Sequence, residues 1–402
     1  MKQQNKPLLR ILYNHRTMGR GAEGVHIRSI VEAFQQLGHS VELVSPPGIT
    51  PLSTAGERPL DKSKSKTRGI NSLWKAISRH APQFLFEFIE IIYNIFAYFR
   101  LAKILRGGTV DFIYERYAFF SVAGAYLSRR YHIPLALEVN EVSGHQRARG
   151  QTFLSLCGMM ERYVFSRAHA IFTVSSQLQN DVIQQRGNNH RVIVIPNAIS
   201  PVDLVPLTPQ EQAELRAQYG LSGSRTIGFV GWFDEWDRLD FLIDVFAGLT
   251  TVYEDAKLVF IGDGPMRPSL EELAKRNNIA HRVVFTGPIE RRLVFRHMRL
   301  LDIAVLPHSN AFGSPVVLFE LMGMRVPVVA PRLRPIEDVL EDRFTGLLFH
   351  PLDKLGLAEC IKMLLDDSNL YRSIQEKSYA QVLNRHTWRA NAENIINIMV
   401  SH

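Results

Sequence analysis

The sequence is poor in cysteine and lacks the residue patterns that hold metal ions. Only two of its 402 residues are cysteines, Cys157 and Cys360, and they lie far apart. There is no Cys-x-x-Cys pair, no cluster of cysteine and histidine and no evident Asp-x-Asp motif, so neither a disulfide framework nor a metal site is predicted. This usage of cysteine fits a reducing, cytosolic compartment.

Two further patterns are missing. The chain has no Gly-x-Ser-x-Gly elbow and no Ser/His/Asp pattern, the arrangements in which serine acts as a nucleophile. The start, MKQQNKPLLRILYNHRTMG, contains basic residues but only a short apolar run, so we do not predict a secretory signal there.

A long uncharged apolar run is also absent. The nearest candidate is FLFEFIEIIYNIFAYFRLAKIL, residues 84–105, which is rich in Phe, Ile and Tyr but contains Glu87, Glu90, Arg100 and Lys103. These charges argue against a membrane-spanning helix. Two interpretations remain: an interfacial helix that faces anionic lipid, or a buried helix of the N-terminal half.

Charge is distributed unevenly along the chain. Hydrophobic residues make up 46% and charged residues 21%, as in soluble globular proteins. Residues 1–200 contain 25 Lys and Arg against 13 Asp and Glu, whereas the rest contains 22 against 26. The excess of positive charge predicts that the first half binds a polyanion or an anionic membrane surface. The alternative is a basic domain whose charges are simply solvated. Nucleic acid is not predicted as a partner, because no reading motif accompanies the charge.

Short apolar runs alternate with helical patterns throughout. The strand-like runs are LLRILYN, SVELVSP, VDFIYER, PLALEVN, AIFTVS and VIVIPN in the first half, and RTIGFVG, AKLVFIGDG, RVVFTG, DIAVLP and VPVVAP in the second. Continuous apolar strands separated by helices predict parallel sheets covered on both faces. Two such series in a chain of this length predict two doubly wound α/β domains in tandem.

Prolines and polar residues place the domain boundary near 200–222, in SPVDLVPLTPQEQAELRAQYGLSGSRT. We predict an N-terminal domain over 1–205 and a C-terminal domain over 223–385. A final helix over 386–402 is expected to pack back on the N-terminal domain. The tract ERPLDKSKSKTRG, residues 57–69, is predicted to be a basic loop.

A glycine-rich turn follows the first strand. It reads NHRTMGRGAEGVHI, and its Gly21 and Gly24 are candidate substrate-binding residues, because backbone N–H groups and a helix dipole favour a phosphate at such a turn. The second strand ends in VELVSPPG, however, without the acidic residue that binds the ribose of a dinucleotide. Its absence disfavours a nicotinamide or flavin oxidoreductase.

An ordered set of motifs is the most specific signal. The second half contains GDGP, FTG, LFELMGMRVPVVAP and TGLLF, and the first half contains GAEGVHI, GHSVELVSP, IYERY, LEVNE, IFTVSSQL and VIPNAIS. In this order they resemble the motifs of GT-B glycosyltransferases, most closely family 4 and its subgroup with GAEGVHI and SPxxLFE. The resemblance covers nearly the whole chain except residues 50–105.

The resemblance implies two Rossmann-like domains facing a central cleft, and a retaining transfer of sugar from a nucleoside diphosphate without cofactor or metal. The donor would lie mainly on the C-terminal domain, beyond the carboxyl ends of its strands. Those ends carry Gly231, Gly262–Gly264, Gly287 and the loop 310–315, which are expected to converge. In the family's usual account the leaving phosphate assists deprotonation of the acceptor on the same face, so no enzyme nucleophile is needed.

Residues 310–323, NAFGSPVVLFELMG, carry the predicted donor site. If a helix opens here, Gly313, Ser314 and Pro315 precede or begin its first turn. The free N–H groups of Ser314, Val316 and Val317 then point at the diphosphate. Glu320 lies about one turn further on, where the family uses a carboxylate to accept hydrogen bonds from ribose hydroxyls. The alternative is a glutamate that only stabilises the start of a helix.

The chain departs from the family where cations neutralise the diphosphate. In FVGWFDEWDRLDFLIDVF, Trp232 and Asp237 stand in place of the usual arginine and lysine. A missing cation would weaken stabilisation of the leaving group by on the order of several kcal/mol. Arg238, one residue along, is our candidate substitute, and Arg20 of the N-terminal half is the other; otherwise activity is lowered or lost.

On the N-terminal side, LALEVNEVSGHQRARG ends a strand where the family often places a histidine facing the sugar. This chain offers Glu138, Asn140 and Glu141 instead. Asn140 is predicted to bond sugar hydroxyls, and Glu141 to stabilise positive charge at the anomeric carbon. His26, in the helix after the glycine turn, is a further candidate contact. For each of these residues, a structural cap, hinge or packing role is the alternative.

The sequence therefore predicts a metal-independent, retaining glycosyltransferase of hexosyltransferase type. Its donor would be a nucleotide sugar, and its acceptor a glycan or polyprenyl-linked glycan in envelope polysaccharide or exopolysaccharide synthesis. The basic half and segment 84–105 favour a cytoplasmic protein bound peripherally to the inner face of the membrane. Two alternatives remain: a non-catalytic GT-B subunit that scaffolds or activates another transferase, and a GT-B-like nucleotide-sugar epimerase.

Overall fold

Two six-stranded parallel sheets with interleaved helices form the computed structural model, which describes residues 8–17, 22–46, 49, 83–145, 151–205 and 207–401. The predicted class, two doubly wound α/β domains, is confirmed. One compact unit contains Met1–Val174, Leu178–Ile195 and Ala392–His402, and the other contains Ser175–Gln177 and Pro196–Asn391. Arg20, Gly21 and the predicted loop 57–69 lie outside the described residues.

The first unit is built on a sheet in the order β2-β1-β3-β4-β5-β6. Its strands are β1 (Arg10–Asn14), β2 (Ser40–Val44), β3 (Phe112–Arg116), β4 (Leu135–Val139), β5 (Ala170–Thr173) and β6 (Val192–Val194). Its helices are α1 (Ala22–Gln36), α2 (Gln83–Arg106), α3 (Ala123–Tyr131), α4 (Leu154–Arg167) and, from Leu178 onward, α5 (Ser176–Arg186). All five residues of β4 are buried, as expected for a parallel strand covered on both faces.

Helix α2 explains two of the polar residues in the apolar segment 84–105, Glu87 and Asn94. Glu87 accepts hydrogen bonds from the backbone N–H groups of Thr152 (2.6 Å) and Phe153 (2.7 Å), just before α4 begins. Asn94 accepts from the N–H groups of Val122 (2.8 Å) and Ala123 (3.2 Å), at the start of α3. The first N–H groups of a helix lack partners within it, so these two side chains cap the neighbouring helices.

The two flanks of α2 differ in exposure. One flank buries Ala97, Leu101, Ala102 and Leu105 in the unit, as the buried-helix interpretation predicts. The other flank exposes Phe84, Phe88, Ile92, Ile95, Phe96 and Phe99, as the interfacial interpretation predicts. In the part of the chain that the structure describes, no helix combines the length and apolar character that crossing a bilayer requires.

The second unit is built on a sheet in the order β12-β11-β10-β7-β8-β9. Its strands are β7 (Arg225–Trp232), β8 (Ala256–Asp263), β9 (Val283–Phe285), β10 (Ile303–Val305), β11 (Val328–Pro331) and β12 (Leu347–Phe349). Its helices are α6 (Pro209–Gln218), α7 (Leu239–Leu249), α8 (Arg267–Arg276), α9 (Arg291–Met298), α10 (Val316–Gly323), α11 (Arg334–Glu337), α12 (Lys354–Asp366), α13 (Ser368–Arg385) and the first part of α14 (Trp388–Val400).

The segment proposed as a linker is part of the second unit. Its helix α6 begins with a capping box between Thr208 and Glu211. Arg216 of this helix donates to Leu300 O (3.3 Å) and pairs with Asp302 (3.3 Å), beside strand β10. The division between the units accordingly falls at 195/196, earlier than the predicted boundary.

Candidate functional site

The carboxyl ends of β7, β8 and β9 are held together by glycines. Gly262, with a φ of +128°, forms a β-bridge with Gly287, whose φ is +76°. A Cβ on Gly262 would overlap the Gly231 carbonyl oxygen, and one on Gly264 would overlap the backbone of Phe233. Only glycine allows this close approach, so the sequence brings three strand ends to one edge of the second sheet.

Helix α10 begins beside this edge, with Pro315 as its N-cap residue. The Leu318 N–H bonds back to Pro315 O (3.1 Å), so the N–H groups that precede it lie in the turn where helices leave donors unsatisfied. Hydrogen bonds hold the loop that precedes α10. Asn197 donates from its backbone N–H to Ser314 Oγ (3.2 Å) and from its side-chain Nδ2 to Ser314 O (2.6 Å). Asn310 Oδ1 accepts the Gly313 N–H.

Glu320 is 4% exposed, and its Oε1 accepts a hydrogen bond from the Arg291 guanidinium at the start of α9. Burial raises the pKa of Glu320, and Arg291 acts in the opposite direction. Arg291 is about half exposed, so one end of the pair is accessible to a ligand. Because Arg291 holds Oε1, a ligand hydroxyl would bind through Oε2. Sequence reasoning missed Arg291; the only local signal is the arginine pair in PIERRLVF.

The structure pairs the proposed substitute cation with an acid. Arg238 donates from Nε and Nη2 to the two carboxylate oxygens of Asp240, each at 3.0 Å, and this hydrogen bonding raises the pKa of Arg238. Trp232 ends β7 with its side chain 62% exposed. Burial raises the pKa of Asp237 to about 7, so this carboxyl is only partly ionised near neutral pH. An ionised Asp237 would repel a diphosphate, and its partial protonation reduces that repulsion.

Arg267 is a second cation that sequence reasoning missed. It lies at the start of α8, between Asp263 (3.7 Å) and Glu271 (2.8 Å), with its guanidinium 5.5 Å from the centre of the Phe285 ring. A Cβ on Gly287 would lie 3.6 Å from Arg267 Nη1. The guanidinium therefore borders the glycine-rich edge of the second sheet. Its signal in the sequence was the arginine that follows GDGPM.

The first unit gathers charged side chains at the corresponding edge of its own sheet. Glu138, 3% exposed, accepts hydrogen bonds from Tyr114 Oη (2.8 Å) and Asn140 Nδ2 (2.6 Å). It also pairs with His26 Nε2 (3.0 Å) and with Arg116. Burial alone would raise the pKa of Glu138, but His26 and Arg116 outweigh it and hold this pKa far below its ordinary value.

These four donors decide what Glu138 can do. A carboxylate has about four acceptor positions, so these four donors can occupy all of them, and Glu138 holds its neighbours in place. Its role as a substrate-binding residue stays a prediction. Asn140 and Glu141 follow β4 at this edge, half-buried. Gly24 is buried in the first turn of α1, and His26 lies half a turn further along.

A second buried carboxyl, Glu115, lies at the end of the neighbouring strand β3. It accepts from Asn14 Nδ2 (2.9 Å) and Ser121 Oγ (3.3 Å), and burial raises its pKa to about 7. His15, after β1, bonds Ser45 Oγ (2.7 Å), and burial lowers its pKa to about 4. Sequence reasoning missed both residues, although LYNHR and IYERY place them at strand ends. Within the described ranges, no group of three or more His, Cys, Asp or Glu is placed to hold a metal.

Two family models match the chain. The model described as a glycosyl transferase 4-like domain matches residues 21–198, and the one described as glycosyl transferases group 1 matches residues 224–367. The first match includes the Glu138 cluster, and the second includes the glycine-rich edge and helix α10.

Individual relatives agree with these matches. The alpha-D-kanosaminyltransferase of Streptomyces kanamyceticus is 32% identical over 171 residues, 42% of this chain and less than half (44%) of that enzyme. The N-acetyl-alpha-D-glucosaminyl L-malate synthase of Bacillus anthracis is 26% identical over 285 residues, 70% of this chain and 72% of that one. The structure of Anabaena Alr3699/HepE in complex with UDP shares the fold, with a TM-score of 0.69 at 18% identity over 98% of this chain and 100% of that one. The chain is therefore similar to glycosyltransferases in both of its units, and it has the GT-B fold.

Proposed function

We propose that the chain is a retaining, metal-independent glycosyltransferase that moves a hexose from a nucleoside-diphosphate sugar to a glycan or lipid-linked acceptor. The observation that carries this proposal is the start of α10 beside the Glu320–Arg291 pair, at the glycine-rich edge of the second sheet. Free N–H groups at a helix start favour a phosphate, and a carboxylate favours ribose hydroxyls. The complex of the similar Anabaena protein with UDP supports a uridine nucleotide as the first ligand to test.

In the proposed reaction, the diphosphate lies against the N–H groups of Ser314, Val316 and Val317, and the ribose bonds Glu320. The bond from the anomeric carbon to the diphosphate oxygen breaks, and the bond to the acceptor oxygen forms on the same face. The acceptor proton passes to the departing phosphate. Arg291 and Arg267, both beside the glycine-rich edge, supply positive charge where the family's usual cations are absent.

On the first unit, we assign Asn140 and Glu141 to the sugar and its developing positive charge. The Glu138 carboxylate accepts a hydrogen bond from the side-chain amide of Asn140. It also pairs with Arg116 and His26, so all three side chains are held in place. A side chain that is fixed before the ligand arrives loses less conformational entropy on binding. The strand end therefore offers preorganised polar groups.

We further propose that the protein works peripherally on the inner face of the cytoplasmic membrane, in envelope polysaccharide or exopolysaccharide synthesis. The outward apolar flank of α2 supports this location. Exposed cations follow at the carboxyl ends of two helices, Lys103 and Arg106 on α2 and Arg129 and Arg130 on α3. Apolar side chains bordered by cations suit an anionic lipid surface.

Donor binding is the test of the proposed function. We expect UDP, in preference to GDP, to raise the thermal midpoint of the wild-type protein, and we expect Glu320→Ala to abolish the shift. Release of UDP from UDP-hexoses in the presence of acceptor then tests transfer. If neither nucleotide shifts the midpoint of the wild-type protein, the assigned donor site is wrong.

A non-catalytic GT-B subunit is the second candidate function. It is favoured by the exposed Trp232 and by the Arg238–Asp240 pair, which replace the expected free cations. Such a subunit would release no nucleoside diphosphate from any of the UDP-, GDP- or ADP-sugars. Turnover of any one of these donors excludes it.

A further inference from the structure

The first unit contains an apolar groove that the donor chemistry does not use. It has a volume of about 700 Å³ and lies between α2, the start of α3 and the middle of α4. This volume is within the range of small-molecule sites, about 300–1,000 Å³. Its lining includes Ile95, Phe99, Val122, Ala123, Met159 and Met160.

The groove offers a ligand almost no polar partner. Among its lining residues, Asn94 alone carries an amide, and the others are aliphatic, Met, Phe or Tyr. Asn94 is already engaged: its Nδ2 donates to Phe120 O (2.7 Å), and its Oδ1 accepts the N–H groups that start α3. Small-molecule sites normally contain a few polar groups that fix orientation, so this lining fits a hydrocarbon chain.

Large apolar side chains at the groove are open to solvent. Phe99 is 67% exposed, Ile95 61% and Met159 55%. Contiguous exposed apolar surface of this kind marks a site of association. A hydrocarbon chain in the groove would remove apolar surface from water on both partners, which is favourable at about 25 cal/mol per Å².

One end of the groove adjoins the charged edge of the first sheet. Val122 and Ala123 stand between Ser121, which bonds Glu115, and Gly124, where a Cβ would overlap the Glu115 carboxylate. A molecule whose chain filled the groove would therefore place its head group at the ends of β1 and β3.

That edge contains a cation suited to a phosphate. Arg16 pairs through Nη2 with Glu90 of α2 (3.0 Å), one helical turn before Asn94. Its Nη1 is buried, and no hydrogen-bond partner for it lies within the described residues. A buried donor without a partner is costly, and an anionic oxygen would satisfy it.

We infer that the groove seats the hydrocarbon chain of a polyprenyl-diphosphate-linked acceptor, and that Arg16 Nη1 meets its phosphate. The inference rests on the proposed function, since it names the acceptor of the same reaction. The bond-making steps are unchanged. The groove binds the part of the acceptor that does not react and presents its glycan end to the edge where Asn140 lies.

Farnesyl diphosphate is the probe, titrated calorimetrically into the full chain. We expect the probe to bind the wild-type protein. Its affinity should fall roughly 10-fold or more in Phe99→Asp and in Ile95→Asp, because each substitution places a charge against the hydrocarbon chain of the probe. Phe88→Asp is the matched control: Phe88 is 54% exposed on the same flank of α2 but does not line the groove. Its affinity should stay at the wild-type value. Arg16→Gln should weaken farnesyl diphosphate but leave farnesol unchanged.

Several results would contradict the inference. Absence of binding to the wild-type protein, or unchanged affinity in both groove variants, overturns the inference. An equal loss in Phe88→Asp also overturns it, because the whole flank would then act as a membrane or self-association surface. The UDP-induced shift in thermal midpoint should be the same in all four variants. A missing shift in the wild-type protein would contradict the proposed function, whereas probe binding reports on the groove alone.

Discussion

The two sheets carry different residues at the carboxyl ends of their strands. At the carboxyl edge of the second sheet, Gly231, Gly262, Gly264 and Gly287 bring backbone close to backbone. At the carboxyl edge of the first sheet, buried ionisable side chains with hydrogen-bond partners occupy the same position. The glycine edge leaves room and N–H groups for a phosphate, whereas the charged edge prepares side chains for a polar ligand. From this contrast we expect the two units to contribute different kinds of recognition.

The charged edge depends on Glu138, so its removal should have the largest effect. Glu138→Ala leaves Arg116 and His26 buried without their carboxylate, and removing one partner of a buried ion pair costs about 3–5 kcal/mol. Urea denaturation should show this loss in the free energy of unfolding. The matched control is Glu42→Ala, which removes a half-exposed pair with Arg10 and should cost about 0–1 kcal/mol. Equal losses in the two variants would show that the Glu138 cluster contributes no more than a surface pair.

Adding a single methyl group at the glycine-rich edge should lower the stability of the protein and weaken UDP binding. Gly264→Ala places a Cβ against the backbone of Phe233, so the strand ends must separate. We expect a loss of about 1–3 kcal/mol in the free energy of unfolding and a smaller UDP-induced shift in thermal midpoint. Gly248→Ala is the control, because a Cβ in that part of α7 meets no atom within 4 Å and should stabilise the helix by roughly 0.5–1 kcal/mol. Wild-type behaviour of Gly264→Ala would show that the close approach is not required.

The charged edge of the first sheet should also make stability depend on pH. Glu115, 1% exposed, has its pKa raised to about 7 by burial. The folded state then binds more protons than the unfolded state between about pH 4.5 and pH 7, so stability falls as pH rises through this window. Wild type should lose about 1–3 kcal/mol more than Glu115→Gln between pH 5 and pH 8. Parallel curves for the two proteins would show that Glu115 ionises normally.

Local sequence patterns predicted the elements well, because strand and helix periodicities are local. All eleven predicted strand runs form strands, and β12 lies in TGLLF, which we treated only as a motif. The start of α10 near Pro315 was also foreseen from the preference of Pro for helix starts.

Partners that come from distant parts of the chain were not predicted. Glu87 caps a helix 65 residues away, so a polar residue that we interpreted only as a barrier to membrane crossing has a structural function. One nearby partner was missed as well: Arg238, our candidate substitute cation, pairs with Asp240 two residues along, and its backbone is in the αL region. Arg291 reaches Glu320 across 29 residues. No periodicity encodes the contacts of Glu87 and Arg291, since they depend on how the fold brings distant segments together.

The smallest expected effect tests whether the donor edge uses side chains as well as backbone. Arg291→Ala removes the partner of Glu320 and a cation beside the proposed diphosphate site, and we expect UDP affinity to fall about 10-fold, equivalent to about 1.4 kcal/mol. Arg292→Ala is the matched control, because the next residue pairs with Glu290 on the surface. Calorimetric titration of both variants measures the difference. If both bind UDP as the wild type does, the donor edge relies on glycines and N–H groups alone, and the contrast between the two edges becomes sharper. If only Arg291→Ala weakens binding, a side chain missed in the sequence supplies charge that Trp232 and Asp237 do not.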